Sequence, residues 1–392
     1  MDNIATQLTQ LQTIKQNIAT AIEGKGGTVG TGFASYATAI TNLPDSSGGG
    51  GSAVFRVSEN PSIKFGNSTF QTIPSNIIVD TLTQSLFYQC QDLTSIAIPN
   101  GVTSIPSTCF HYCQSLASVT GGQDVSVIEA YGFSDCGALL SMPNFPNLTY
   151  IGDNAFQGCY GLTGDVSIPS AVTYVGQNAF EYCSQLESVT FNDCSCEIGY
   201  AAFANCSALE SVDFGDNVYR IGTSAFAWLE ALTSISTLPA KYHLFGDDLT
   251  TYQSQFRDSP NIQTIDIPGV IELIPQDCFC GCNNATTITI GEGITEIGQG
   301  AFYFCSAVEE LTLPSTLTYI GPDAFVALES LTQLIVLAET PPAFEEGAWP
   351  FDDSAEYPIY VPDRSYTDYL YDWGQYLSDS TRLHRMRDLP SS

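Results

Sequence analysis

The sequence is poor in positive charge. Its 392 residues contain 11 Lys and Arg against 42 Asp and Glu, which gives a formal net charge of −31. No Lys or Arg occurs between Lys64 and Arg220. Proteins that bind nucleic-acid phosphates or anionic membrane surfaces need clustered cations. We therefore expect neither nucleic acid nor a membrane among the partners.

Long apolar runs are also missing. No stretch approaches the roughly 18 consecutive apolar residues that indicate a membrane span. The opening residues lack the basic region and the apolar run of a signal peptide, and none is expected. Hydrophobic residues still form 44% of the chain. This content favours a folded protein over a disordered acidic tail.

Catalytic and metal-binding patterns are scarce. The chain has three His and no Gly-x-Ser-x-Gly nucleophile motif. Two groups of cysteines have the close spacing of zinc ligands, but they lie far apart in the sequence and no His is near either. These groups are Cys194 with Cys196, and Cys278 with Cys280 and Cys282. The sequence therefore predicts no enzyme, no cofactor and no metal site, and regular repeats predict no obvious pocket.

What the chain does have is a phenylalanine about every 23 residues. The series is Phe87, Phe110, Phe133, Phe156, Phe180, Phe203, Phe226, Phe256, Phe279, Phe302 and Phe325. Its intervals are 23, 23, 23, 24, 23, 23, 30, 23, 23 and 23 residues. The longest interval contains an insertion at residues 240–253. Self-similarity at a fixed period of this length indicates a solenoid.

Other residue types keep the same phase. Ile or Val usually lies five residues before the Phe, Cys three after it and Leu six after it. The cysteines of this column are predicted to be small buried core residues, because parallel stacked side chains suit disulfides poorly. Thr251 and Ser259 replace regular positions beside the insertion. We expect a local break or bulge there.

Each repeat predicts one short strand and one turn of helix. Alternating stretches such as SIAIP at 95–99 and ELTLP at 310–314 are typical of strands. The preceding I-G-x-x-A-F-x-x-C-x-x-L segment has mixed three- and four-residue spacing, which favours a helical turn. A single repeat cannot bury its apolar column, whereas stacked neighbours can. The fold class is therefore an α/β solenoid of about eleven 23-residue repeats.

This pattern resembles the BspA-like leucine-rich repeat family, with its I-x-x-x-A-F-x-x-C-x-x-L core. The resemblance extends over most of the chain. It implies a right-handed leucine-rich repeat solenoid used for adhesion and recognition. It implies no particular ligand, because ligands vary within that family.

Residues 1–44 form a different module. Apolar residues spaced three and four apart predict an amphipathic helix: Ile4, Leu8, Leu11, Ile14, Ile18 and Ile22. The sequence DSSGGGGSA at 45–53 predicts a flexible Gly/Ser linker. The expected domains are this helical attachment segment, the linker, a solenoid at 54–340 and a C-terminal cap at 341–392.

The segment 1–44 resembles an N-terminal segment that recurs in tail-associated and other virion proteins of bacteriophages. The resemblance implies that this helix docks on other virion proteins or self-associates into a homo-oligomer. A helix that simply covers the first repeat is the alternative.

Together, the two resemblances imply a bacteriophage virion structural protein of the tail-fibre, baseplate or head-fibre type. Such a protein is assembled in the host cytoplasm and exposed on the particle surface. Its solenoid would bind a host-surface glycan or protein. A bacterial cell-surface BspA-like adhesin and a purely structural virion component remain open alternatives.

The insertion supplies the predicted ligand contacts, because insertions in repeat proteins often map to the binding face. These contacts are Tyr242, His243, Phe245 and Tyr252.

The last segment, 341–392, is rich in aromatic residues. Its IYVP followed by Y-x-x-Y-x-x-x-W resembles the closing segment of BspA-like domains, which implies a last strand and then a helix over the open end. An aromatic sugar-binding patch is the alternative.

Overall fold

The computed structural model describes residues 55–59, 62–73, 77–235, 238, 254–345, 347–352 and 356–390. The chain divides after Leu162 into two compact units, residues 1–162 and 163–392. The predicted attachment helix, the linker and the predicted ligand contacts lie outside the described residues: Ile4, Leu8, Leu11, Ile14, Ile18 and Ile22; 45–53; and Tyr242, His243, Phe245 and Tyr252.

Unit 1 is built from very short parallel strands. They are β1 (Phe55–Arg56), β2 (Ile77–Ile78), β3 (Ser95–Ile98), β4 (Ser104–Ile105), β5 (Ser118–Gly121), β6 (Val127–Ile128) and β7 (Tyr150–Ile151). β1 pairs with β2, β3 with β5, and β4 with β6, which in turn pairs with β7.

Unit 2 continues the same plan. Its strands are β8 (Gly164–Ile168), β9 (Tyr174–Val175), β10 (Leu186–Phe191), β11 (Glu197–Ile198), β12 (Ser211–Asp213), β13 (Arg220–Ile221), β14 (Ser234–Ile235), β15 (Thr264–Ile267), β16 (Leu273–Ile274), β17 (Thr287–Ile290), β18 (Glu296–Ile297), β19 (Glu310–Leu313), β20 (Tyr319–Ile320), β21 (Gln333–Val336), β22 (Ile359–Val361) and β23 (Leu383–Arg385). They form parallel rows: β8–β10–β12, β9–β11–β13, β14–β15–β17, β16–β18–β20 and β19–β21–β22–β23.

Helix is rare in unit 2. Its one α-helix among the described residues is α1 (Tyr366–Asp372), and two 3₁₀ turns follow at Ser380–Arg382 and Met386–Asp388. None of the described helices is long and apolar enough to cross a membrane.

Strand pairing follows the sequence period. Ile265 of β15 pairs with Ile288 of β17, and Ile297 of β18 pairs with Ile320 of β20, so each step is 23 residues. Inward and outward side chains alternate along the longer strands. A one-residue slip would turn the apolar side chains outward, so burial fixes this register. The predicted solenoid of stacked repeats is confirmed.

The predicted turn of helix is wrong for the described repeats. The Ile column instead forms a second row of two-residue strands, and the Phe lies in a run of tight turns. In one such run Ala155 N donates to Gly152 O at 3.2 Å and Cys159 N donates to Phe156 O at 3.1 Å. Left-handed backbone at Asn154 and Gly158 flanks the Phe and stops helix propagation.

The phenylalanines form stacked columns in the core. In unit 1 the rings of Phe65, Phe87, Phe110, Phe133 and Phe156 stack with centroids 5.2–5.5 Å apart. In unit 2 the column runs through Phe180, Phe203, Phe226, Phe256, Phe279, Phe302, Phe325 and Phe351, with centroids 5.0–5.8 Å apart. Phe65 and Phe351 extend the columns beyond both predicted ends, because their intervals of 22 and 26 residues fall outside the regular period.

The column cysteines are buried core residues, as predicted. In most repeats, the column thiol donates a hydrogen bond to the carbonyl oxygen of the Phe one repeat earlier. Examples are Cys136 to Phe110 at 3.1 Å and Cys206 to Phe180 at 3.2 Å. Phe110 O and Phe180 O also accept from the backbone N–H of Cys113 and Cys183. The small thiol therefore fills the column and gives a buried carbonyl oxygen its second donor.

Ser259 keeps this arrangement intact. Its hydroxyl donates to Phe226 O at 3.4 Å and accepts from Leu229 N at 3.2 Å. The rings of Phe226 and Phe256 still stack at 5.8 Å. The Phe column therefore continues through Ser259, because a hydroxyl replaces a thiol without changing the bonds required. Among the described strands, the row that ends at β13 is not joined to the row that starts at β16, so the strand rows are interrupted beside the insertion. Thr251 lies outside the described residues.

The C-terminal segment closes the apolar core of unit 2. β22 pairs with β21, and α1 follows β22 in the chain, which is the strand and helix that the resemblance implied. A further strand, β23, comes after α1 and pairs with β22, and this strand was not predicted. Tyr369 and Trp373 are fully buried, and they donate to Ala338 O at 2.8 Å and Pro342 O at 3.1 Å. These aromatic side chains are therefore core residues of the cap rather than a surface patch.

Candidate ligand-binding surface

From Phe87 to Phe325, each repeat has two left-handed residues, one two positions before the Phe and one two positions after it; the repeat of Phe65 has only the later one. The later set contains Asn67, Gln89, Tyr112, Asp135, Gly158, Tyr182, Asn205, Trp228, Asp258, Gly281, Phe304 and Ala327. Their φ values lie between 53° and 81°. Gly, Asn and Asp adopt this conformation most readily, whereas bulky side chains rarely do.

Four aromatic residues occupy this later position. Tyr112 belongs to unit 1, and Tyr182, Trp228 and Phe304 belong to unit 2. Their side chains are exposed at 36%, 46%, 41% and 45%. A left-handed bulky residue costs of the order of 1–2 kcal/mol in backbone energy. An exposed ring recovers little of this cost by burial, so these side chains are candidates for function.

These four residues were not among the ligand contacts predicted from the sequence, which lie in the insertion. The regular pattern of the sequence marks the buried columns and not the exposed turn positions. The available signal was the exception to a pattern. Asn205, Asp258 and Gly281 show what the turn prefers at this position, and an aromatic residue there departs from that preference.

Unit 1 brings five side chains together around one imidazole. We call Tyr88, His111, Tyr112, Tyr131 and Asp135 the His111 cluster. The imidazole stacks on Tyr88 at 5.5 Å between ring centroids. It meets Tyr112 edge-on at 4.3 Å and Tyr131 edge-on at 5.6 Å. His111 Nδ1 lies 3.9 Å from Asp135 Oδ2.

Backbone hydrogen bonds between repeats fix the position of this cluster. Gln89 N donates to His111 O at 2.8 Å, Tyr112 N to Ser134 O at 3.0 Å, and Tyr131 N to Asp153 O at 2.9 Å. Phe110 points into the core, so the next residue, His111, faces away from the column. The cluster is thus held by the ladder that stacks the repeats.

Burial governs the electrostatics of His111. Desolvation lowers its pKa below the usual value, and the nearby Asp135 carboxylate and then the backbone of Ser134 oppose this shift. The Nδ1 atom is buried and has no hydrogen-bond partner. At neutral pH the cluster therefore presents a neutral imidazole next to an acidic side chain.

Unit 2 contains a groove of about 230 Å³, although the sequence predicted no obvious pocket. Glu296, Tyr319 and Glu345 line it together with the backbone of Gly298 and Gly321. A Cβ on Gly298 would lie 2.5 Å from Gln276 N, so the turns stack too closely for a side chain. Burial is the largest cause of the raised pKa of Tyr319, and the carboxylates of Glu345 and Glu296 raise it further. The groove offers hydroxyl and carboxylate groups without a nearby cation among its lining residues.

The cysteines do not form a metal centre in the part of the chain that the structure describes. No three His, Cys, Asp or Glu side chains there come together as ligands. Burial raises the pKa of Cys278 and Cys282 far above the ordinary value, and that of Cys280 to about 11. Zinc binds thiolates, and these thiols stay protonated at neutral pH.

A sequence profile for the BspA type leucine-rich repeat region matches residues 51–163, 149–249 and 249–340. No curated protein matches the chain.

Several solved structures are similar. One is a leucine-rich repeat protein from Bacteroides ovatus, at 21% identity over 83% of this chain and 93% of that one, with a TM-score of 0.44. A leucine-rich cell surface protein from Faecalibacterium prausnitzii matches at 25% identity over 66% and 83%, with a TM-score of 0.35. The pneumococcal vaccine antigen PcpA matches at 20% identity over 77% and 91%, with a TM-score of 0.44.

The profile alone spans more than half of the chain, and its period is that of the stacked Phe and Cys columns. The chain belongs to the BspA-type leucine-rich repeat family.

Proposed function

We propose that this protein is a non-catalytic adhesion or recognition protein whose repeats bind a host-surface glycan or protein through exposed aromatic side chains. The observation that carries the proposal is the placement of Tyr112, Tyr182, Trp228 and Phe304 at left-handed turn positions. Aromatic rings give a large contact area at a small entropy cost, which is why binding surfaces favour them. Membership of a solenoid family, a fold that presents extended surfaces, supports the same role.

The test replaces all four aromatic residues with Asn in the full-length chain. Asn205 already occupies this turn position with a φ of 61°, so the substitution suits the backbone. We expect an unchanged unfolding midpoint and at least about tenfold weaker binding, equivalent to roughly 1.4 kcal/mol. Flow cytometry with labelled protein on a panel of bacterial strains measures the binding.

Tyr371→Asn is the matched control, because Tyr371 is an exposed aromatic residue on α1. It should bind as the unmodified chain does. Equal binding by the fourfold variant, or no binding of the unmodified chain to any strain, would overturn the proposal.

We further propose that residues 1–44 attach the repeats to other virion proteins, which would place the protein on a bacteriophage particle. This proposal rests on the resemblance of that segment alone. Immunogold electron microscopy with antibody against residues 54–392 tests it on lysates that contain particles and cells. Label on the tail or head is expected. Label on cell envelopes beside bare particles would instead favour a cell-surface adhesin.

A further inference from the structure

We propose that the His111 cluster is a subsite for a neutral glycan, with Tyr112 and Tyr131 as platforms and Asp135 as an acceptor for sugar hydroxyls. The inference rests on the proposed function and names the ligand class for one part of the surface. Sugars pair apolar ring faces with outward hydroxyl groups. A matching site combines aromatic surface with fixed hydrogen-bonding groups.

The aromatic part of the site is exposed although the cluster is tightly packed. Tyr112 and Tyr131 are 36% and 38% exposed, and both have a left-handed backbone. The imidazole already occupies the centre of the cluster, in contact with all three tyrosines. The three tyrosines therefore leave no aromatic cage open for a cation. The accessible surface of the Tyr112 and Tyr131 rings suits the flat apolar face of a sugar ring.

The polar part has an unfilled hydrogen-bonding position. His111 Nδ1 has no hydrogen-bond partner, and its distance of 3.9 Å to Asp135 Oδ2 exceeds a hydrogen bond. Asp135 Oδ2 accepts from Ser134 Oγ at 3.1 Å and, as a carboxylate oxygen, has a further lone pair for a ligand hydroxyl. One hydroxyl oxygen about 2.8 Å from each atom would close this gap, accepting from Nδ1–H and donating to the carboxylate.

Charge selects a neutral glycan. No Lys or Arg lies between Lys64 and Arg220, so nothing in these repeats can pair with a sulfate or a sugar carboxylate. Asp135 and the nearby Asp153, which accepts from Tyr131 N through its backbone, add negative charge. Sialylated and sulfated glycans are therefore repelled.

The experiment is a glycan array probed with the full-length chain. It carries neutral hexose and N-acetylhexosamine oligosaccharides beside sialylated and sulfated ones. Binding to neutral members is expected, and Tyr112→Asn, Tyr131→Asn and Asp135→Asn should each weaken it by about tenfold or more. Tyr371→Asn should leave it unchanged. Circular dichroism of each variant separates lost binding from lost folding.

Two results would overturn the subsite: binding confined to anionic glycans, or neutral binding that survives all three substitutions. Adhesion to cells that protease treatment abolishes and glycosidase treatment spares would also overturn it, while leaving the proposed function in place. If the chain adheres to no cell at all, the proposed function itself is overturned, and the subsite with it.

A separate observation concerns Cys194 and Cys196, whose Sγ atoms lie 2.7 Å apart in the core of unit 2. Other repeats place one aliphatic side chain here, such as Val218, whereas this repeat has Cys-Ser-Cys with Ser195 facing outward. Two thiols thus share the space of one side chain. This separation lies between an S–S bond of about 2.05 Å and a non-bonded sulfur contact, so the two thiols need little movement to reach bonding distance.

We infer that this pair forms a disulfide in an oxidising environment. Both thiols are buried, so the exchange takes place when this turn opens locally. With glutathione disulfide as oxidant, the Cys194 thiolate then attacks a glutathione sulfur and releases one glutathione. Cys196 then displaces the second, so two thiols yield one disulfide and two glutathione thiols. The hydrogen bond from Cys196 lowers the pKa of Cys194, which makes Cys194 the attacking thiol.

Alkylation in denaturant followed by peptide mass spectrometry tests this second inference. After incubation of the native chain with glutathione disulfide, 11 of the 13 cysteines should be alkylated, since only the pair is oxidised. The 194–196 peptide should weigh about 2 Da less than its reduced form, through loss of two hydrogens. Alkylation of all 13 in the oxidised sample, or of fewer because column cysteines pair, would contradict it. Cys194→Ser is the control and should leave Cys196 alkylated.

Discussion

Cysteine serves in these repeats as a small side chain with two hydrogen-bonding tasks. Cys206 donates to Phe180 O at 3.2 Å and accepts a hydrogen bond from the backbone of Cys183. Ser259 makes the equivalent pair of bonds in its own repeat. The position therefore selects a small donor and acceptor, and it does not require sulfur.

This equivalence predicts different outcomes for two substitutions of similar size. Cys206→Ser should retain both bonds, whereas Cys206→Ala leaves Phe180 O with only its bond from Cys183 N at 3.1 Å. We expect the alanine variant to be less stable than the serine variant by about 0.5–1.5 kcal/mol, the net contribution of one hydrogen bond. Urea denaturation followed by circular dichroism measures both. Equal stabilities would show that the thiol acts only by filling space.

Buried thiols also predict how stability depends on pH. Burial raises the pKa of Cys206 from 9.0 to about 12 and that of Cys280 to about 11. Above about pH 9 the unfolded chain loses these protons while the folded chain keeps them, so the stabilisation present at lower pH declines. Each such thiol should lower the unfolding free energy by about 1.4 kcal/mol per pH unit in this range.

Urea denaturation at about pH 8, 9 and 10 measures this decline. A Cys206→Ser variant lacks one titrating thiol and should show a smaller slope. A slope that is the same in both chains would contradict the assignment of the decline to buried thiols.

Residue identity explains why the core was predictable and the exposed surface was not. Phe and Cys recur at one spacing, so their burial could be predicted from the sequence. The role proposed for Tyr112 and Tyr131 depends on their left-handed backbone angles and, for Tyr131, on contact with His111 of the preceding repeat. These relations become visible only when the repeats are stacked.

At the level of elements, the strands were predictable and the helix was not. Alternation in ELTL gives β19 its inward Leu311 and Leu313. Three- and four-residue spacing around the Phe also fits a run of tight turns, and spacing alone cannot separate these from a helix. Left-handed residues decide the outcome, and residue types such as Asn178 and Ala201 signal them weakly.

The cap is the element on which solubility is expected to depend. β22 covers the edge of β21, and the buried rings of Tyr369 and Trp373 cover the apolar end of the unit 2 core. A chain that ends at residue 340 would expose this edge and this apolar surface, and exposed edges promote association. We expect the truncated chain to elute as aggregate in size-exclusion chromatography. Tyr371→Ala, which removes an exposed ring from α1, should elute as the unmodified chain does.

A truncated chain that stays soluble, elutes in the same species as the full chain and keeps its β-sheet circular dichroism would show that the cap is dispensable.

At the scale of the whole molecule, charge opposes folding. A net charge of −31 produces self-repulsion in the compact state. Raising NaCl from about 10 mM to about 300 mM shortens the Debye length from about 30 Å to below 10 Å. The thermal midpoint should therefore rise by several degrees, as measured by circular dichroism. KCl should have the same effect, and a midpoint that falls with either salt would contradict this account.

The constant register between neighbouring repeats has a consequence for how such chains evolve. In unit 2, Ile265 meets Ile288 and Ile297 meets Ile320 through the same step of 23 residues. A duplicated or deleted 23-residue segment would therefore recreate the junction that it interrupts. Proteins with more or fewer repeats should therefore fold without compensating substitutions. The number of repeats can then change during evolution, while the outward residue of each repeat changes independently.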